Sequence, residues 1–272
     1  MKYVVAHQRN INCSVDSLNQ DIIYLTTKSK ESLRLSTNSA SSDAVTAISD
    51  GAFARSIDEN VVARRLLSIG VDYAVAGFLA FQHPEQPIEF AIEGEIIQTR
   101  GADRDCVKPT PIDWFECVGT ALCLRRSDAI RVLSSFSVDN FQPRWDSFWK
   151  SLCVSVQRFL QGDPSWATLA AEATNLVEHS RTETIKTINR FMSILPTLHA
   201  IAARNQTAFT DALVQMLQAH KAQASRGQER NTGLGHLAIH ACGMAALGLD
   251  HGLMLEVESD YLPTWFVKNE VP

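Results

Sequence analysis

The sequence predicts a mainly α protein, an irregular multi-helix bundle of antiparallel helix pairs with a small β-hairpin or short sheet. Three observations carry this reading. Apolar residues recur at helical spacing along most of the chain. Short polar turns separate one such pattern from the next, which favours antiparallel neighbours. Strict alternation, the mark of a strand, is confined to two short stretches. No repeat of fixed period is present, so a TPR or HEAT array is not expected.

The first helix is expected over 14–35, on Leu18, Ile22, Leu25, Leu33 and Leu35, followed by a Ser-rich break at 37–43. Ser56 and Glu59 have capping-box spacing, and the helix beyond them carries Val62, Leu66, Leu67, Ile69, Val71, Tyr73, Ala74 and Phe78, enough apolar residues for a largely buried rod. Ile88, Phe90 and Ile92 alternate with polar or small residues before Gly94, and the alternation resumes over 95–99, which reads as a hairpin. Helices are expected over 112–124 and 127–136. The clearest one covers 145–160, with Trp145, Phe148, Trp149, Leu152, Cys153, Val156, Phe159 and Leu160 on one face and Gly162 as its stop.

Asp163 as N-cap and Pro164 at the first helical position open the next helix, which runs to about Ser180. A pattern over 182–199 is interrupted at Pro196, where the missing donor and the ring's bulk call for a break. Phe209, Leu213, Met216, Leu217 and His220 mark another helix, 222–231 a polar loop, and 234–247 a helix apolar on nearly all sides, as a central helix must be. A second strand is expected over 253–257.

With 272 residues, 45% hydrophobic and 20% charged, the chain is long enough to hold its core without disulfide or metal staples. A single helical domain over 1–272 is expected, with a possible subdivision into 1–84, the hairpin and acidic loop 85–110, and 111–272. Its longest apolar stretch, 71–81, is far short of the roughly 20 residues that span a bilayer, and 1–10 is too short for a signal-peptide apolar core. The expected location is therefore the cytosol. The six cysteines are scattered without a Cys-x-x-Cys pair and read as reduced, mostly buried thiols.

No catalytic motif emerges. His236 and His240 stand four apart with Cys242 near, as two ligands of a zinc site would, but neither a glutamate between them nor a further ligand is evident. Cys117 sits among Phe115, Val118, Ala121 and Leu124 on an apolar helix, so an inert thiol is expected rather than a nucleophile. Gly233 and Gly235 precede a helix but lack the strand, third glycine and lysine of a phosphate loop. Trp145, Trp149 and Trp166 read as core aromatics rather than a ligand cage. The pairs Glu93 with Glu95 and Asp103 with Asp105 have the chemistry for acid and base work, but their charge is the stronger signal.

That charge is concentrated. Residues 85–116 carry eight acidic side chains against three basic ones, and 250–272 carry five against one, while 117–249 is mildly basic. Nucleic-acid binding needs a clustered basic surface, so a basic protein partner is the better fit. Glu93, Glu95, Asp103 and Asp105 are the expected partner-binding residues, because a hairpin and the loop after it are free to enter a partner's cleft. Asp113 and Glu116, on a helix face, are expected to be ordinary solvated groups.

Near the C-terminus a small-residue helix (Ala241, Gly243, Ala245, Ala246) leads into Leu247, Gly248, Leu249, Asp250, His251, Gly252 and Leu253. A short apolar strand follows, and then Glu258, Ser259, Asp260, Tyr261, Leu262, Pro263, Thr264, Trp265, Phe266 and Val267. This block resembles the closing signature of the immunity protein 49 family, helical proteins of bacterial polymorphic toxin systems. The resemblance implies a protein that binds and neutralises a cognate toxin, with no catalysis, cofactor, metal, nucleic acid or membrane of its own. With a cytosolic location it implies a toxin acting there, a nuclease or a nucleotide-consuming enzyme. The residues themselves read structurally: Gly252 permits the turn, Pro263 ends the strand pattern, and Tyr261, Leu262, Trp265 and Phe266 anchor the tail, which is expected to pack on the body. The alternatives are a helical scaffold or adaptor unrelated to toxins and a metal-dependent enzyme built on His236 and His240.

Overall fold

The computed structural model describes residues 1–5, 16, 18–20, 22–23, 57–103, 106–226, 230 and 233–270. It is mainly α, with 64% helix and two small two-stranded sheets among those residues. The elements are β1 (Lys2–Val4), α1 (Ile57–Gln82), β2 (Pro87–Ile92), β3 (Glu95–Arg100), α2 (Pro111–Cys123), α3 (Ser127–Ser134), α4 (Ser147–Leu160) and α5 (Trp166–Leu176), continuing with α6 (Ile185–Met192), α7 (Ile194–Ala202), α8 (Gln206–Ala224), α9 (Gly233–His236), α10 (Ile239–Asp250), β4 (Val257–Ser259) and α11 (Thr264–Val267). Most of the helix expected over 14–35 lies outside the described residues. Those described within it are helical, with Leu18 and Ile22 buried. The break at 37–43, Cys13 and Ser56, the first residue of the expected capping box, also lie outside them.

The helix α10 is the hub. Every residue from Ile239 to Gly248 is buried, as its all-round apolar sequence requires. It packs on α2, where the two helices cross at Gly119 and Gly243, and on α7 and α8. Trp145 and Trp149 are buried in the surrounding aromatic core, with Trp149 against Phe191 at 5.0 Å and Phe191 against His240 at 4.5 Å. Trp166 is half-buried, stacked between Phe159 and His199.

Helix ends follow local chemistry. Thr110 and Asp113 form a reciprocal capping box on α2, with Pro111 at its first position. Thr184 and Asn205 cap α6 and α8. Asp163 caps no helix: its carboxylate accepts from the Ser165 N–H, a local turn, and α5 begins only at Trp166. The break expected at Pro196 falls instead at Ser193, between α6 and α7. The reason is physical: proline disrupts the turn before it, and sits comfortably inside the first turn of the new helix.

The strand expected over 253–257 forms as 257–259 and pairs in parallel with β1, a strand not expected from the sequence. The tail is fixed to the hub by its main chain, with the Tyr261 carbonyl accepting from the Ala238 N–H at 3.0 Å. Tyr261, Leu262, Phe266 and Val267 are buried and Trp265 is half-buried against the core, so the tail packs on the body as expected. A four-residue helix places Phe266 and Val267 inward, and its neighbour at Trp265 therefore points partly away.

Candidate functional site

The hairpin β2–β3 forms in the expected place. Pro87 pairs with Arg100 and Ile92 with Glu95, leaving the two-residue turn Glu93-Gly94. Both turn residues are left-handed, at φ 49° and 82°, the geometry whose twist matches the flanking strands. Glycine adopts it freely, whereas a glutamate there costs about 1 kcal/mol. Two contacts hold Glu93 in place. Its N–H donates to Asp72 Oδ2 at 3.1 Å, and its carboxylate takes both Nε and Nη2 of Arg65, at 2.5 and 2.9 Å. Arg65 in turn holds the Glu93 carboxyl below the usual range.

Asp72 is itself buried, and desolvation raises its carboxyl above the ordinary value even though Arg126 Nη2 donates to it at 2.7 Å. Arg126 also donates to Ser68 and to both oxygens of Asp128, whose carboxyl is held down at about 2. A chain of charge-assisted contacts thus runs from the hairpin tip through α1 to the start of α3. Arg65, Asp72 and Arg126 were not singled out in the sequence, since nothing in it joins residues 21 to 54 positions apart.

The acidic segment is therefore divided. Glu93 is engaged internally, Glu89 accepts from Gln98 at 2.9 Å, and Glu85 pairs with Arg100 at 3.8 Å. Asp113 is spent on its cap, and Glu116, expected to be solvated, is buried. Glu95 and Asp103 lie exposed on β3 and just after it, and Asp105 lies outside the described residues. Of the four expected partner-binding carboxylates, two are presented to solvent and one holds the tip.

The histidines lie inside. His236 and His240 are buried, and His240 shares with Arg190 and His220 the wall of a small interior cavity. Burial, with Arg190 and His220 adding to it, keeps the His240 imidazole well below its ordinary value. A guanidinium lining the same cavity is a poor neighbour for a metal cation, and among the described residues no three His, Cys, Asp or Glu side chains gather as a ligand set. Cys117, Cys123, Cys153 and Cys242 are buried free thiols, each raised by desolvation. An open groove of about 710 Å³ lies between α5, α6, α7 and α8, lined by Ala171, Leu195, His199 and Gln215 among others and by no Asp, Glu, Lys or Arg.

A family model described as Immunity protein 49 matches residues 55–266, from the start of α1 into α11, with the hairpin, the hub and most of the tail inside the match. The chain belongs to the immunity protein 49 family. No curated protein and no solved structure matches it. Among the described residues no helix is long and apolar enough to cross a membrane.

Proposed function

We propose that this immunity-family protein neutralises a cognate toxin acting in the bacterial cytosol, a nuclease or nucleotide-consuming enzyme, by occluding the toxin's active or substrate-binding surface. It does so from the cytosol and without catalysis of its own. The family match over 55–266 carries the reading. The local acidity of 85–116 supports the class of toxin: an enzyme that holds phosphates presents positive charge, and an acidic surface competes for it. Glu95, Asp103 and Asp105 make the contact, and Glu93 shapes the tip beside Glu95.

The test is coexpression with the product of the reading frame adjacent to this chain's gene. Cells carrying both grow, cells carrying that product alone die, and the two proteins copurify. Failure to protect and to bind overturns the reading and leaves the scaffold alternative.

A further inference from the structure

Among the described residues the hairpin has an open edge. On one side β2 packs against α1, with Ile88, Phe90 and Ile92 buried, so β3 is the outer strand. Across a two-residue turn the flanking pair exchanges both main-chain bonds, and so does every second pair after it. The bonded pairs are therefore Ile92 with Glu95, Phe90 with Ile97, and Ile88 with Thr99. Ile96 and Gln98 consequently direct their N–H and C=O groups away from β2, and neither residue's main chain bonds to any other described residue. The Ile96 side chain is 66% exposed on the same stretch.

Proteins ordinarily blunt such an edge with proline, lysine, a bulge or a covering loop. β3 contains no proline and no lysine, and its register with β2 is unbroken. Its surroundings are acidic, with Glu89, Glu95 and Asp103 exposed nearby, while the cation at its far end, Arg100, is turned back onto the Glu85 carbonyl at 2.8 Å. Like charge would oppose pairing with a second copy of the same hairpin, and opposite charge would favour a basic strand.

We infer that the outer edge of β3 is a strand-addition site, where an extended basic segment of the toxin pairs with the main chain at Ile96 and Gln98. This rests on the function proposed above and specifies its contact: the main chain supplies register and the flanking carboxylates supply selectivity.

The probe is the protein encoded by the adjacent reading frame, titrated against the full chain. Amide hydrogen exchange at Ile96 and Gln98 is fast in the free protein and becomes protected in the complex. Gln98→Pro removes one outward donor and no main-chain β2–β3 bond, though it also removes the side-chain bond to Glu89, and weakens the Kd by about tenfold, while Gln98→Ala, which loses only that side-chain bond, leaves the Kd near the wild-type value. Ile96→Lys, which leaves the backbone whole, weakens it further by repelling a basic strand. If the wild type binds but these amides exchange unchanged, the edge is not the site, whatever the folding of the variants. If the wild type does not bind at all, the proposed function has failed, and the edge assignment with it. If the amides become protected on raising the concentration of the chain alone, the occupant is a second copy and the inference is overturned.

Discussion

A Cβ placed on Gly243 would stand 2.6 Å from the Cα of Gly119, closer than a Cβ can sit to a backbone carbon. Each helix is the other's reason for a glycine, because a Cβ on Gly119 would in turn meet the Ile239 carbonyl oxygen at 2.7 Å. Gly243→Ala must push α2 from α10 at the centre of the core. A loss of about 1–3 kcal/mol is expected, from the cost of overpacking a site with no flexible neighbour. An unchanged denaturant midpoint would mean the helices separate freely.

The tail gives a graded pair. Phe266 is 1% exposed, so Phe266→Ala should cost about 3–5 kcal/mol. Trp265, half-buried at the rim, should cost clearly less. Thermal melts of the two variants check the order, and a larger loss at Trp265 would contradict it.

Two carboxylates of the hairpin should behave differently. Arg65 and Glu93 side chains are 56% and 32% exposed, so Glu93→Gln should remove only about 0.2–1 kcal/mol and loosen the tip. Charge reversal at Glu95, Asp103 and Asp105 should leave the melting temperature alone and slow toxin association by about tenfold at low salt, with less effect at high salt. Stopped-flow mixing at two ionic strengths separates these outcomes. Equal rates at both would remove the carboxylates from the interface.

Acid should weaken the fold through His240. Its folded value lies below the unfolded one, so the stability it contributes is complete above about pH 6.5 and is lost as pH falls toward the folded value. Arg190 and His220, which face it across the cavity, repel the added proton. His240→Gln should flatten the decline in denaturant midpoint between about pH 7.5 and about pH 5. An equally steep decline in that variant would assign the acid sensitivity elsewhere.

Thiol reagents should distinguish inside from outside. Cys106 is half-buried and should react in the native protein, whereas Cys117, Cys123, Cys153 and Cys242, buried with raised thiols, should react only on unfolding. Unfolding without reductant should release all six of the chain's cysteines as free thiols. Fewer than six would reveal a disulfide.

The helices were readable because their period is local. Leu152, Val156 and Phe159 mark one face of α4 from sequence spacing alone, and Gly94 marks the hairpin turn. What was not readable depends on distance along the chain. Nothing near Glu93 indicates that Arg65 will occupy its carboxylate, so it ranked with Glu95 as a partner contact. Glu116 looked like a solvated face residue because its helix lacks a clean polar side, and burial on nearly all of α2 follows from α10 packing across it. β1 escaped notice because its parallel partner lies 255 residues away. The open edge of β3 was implicit in the alternation over 88–99, but which strand faced α1 was not.

That same parallel pair imposes an order on biosynthesis. Lys2 leaves the ribosome long before Val257, and its strand cannot pair until Val257 has been made. At the usual rates of elongation this is a wait of roughly 13–50 s. During that interval Val4, buried in the finished protein, has no β4 to pack beside. The hairpin and α1, by contrast, close over a short length of chain and need not wait for the last strand. A newly made copy should therefore display its acidic hairpin before its terminal sheet has closed, so that the acidic surface matures ahead of the fold's last seam.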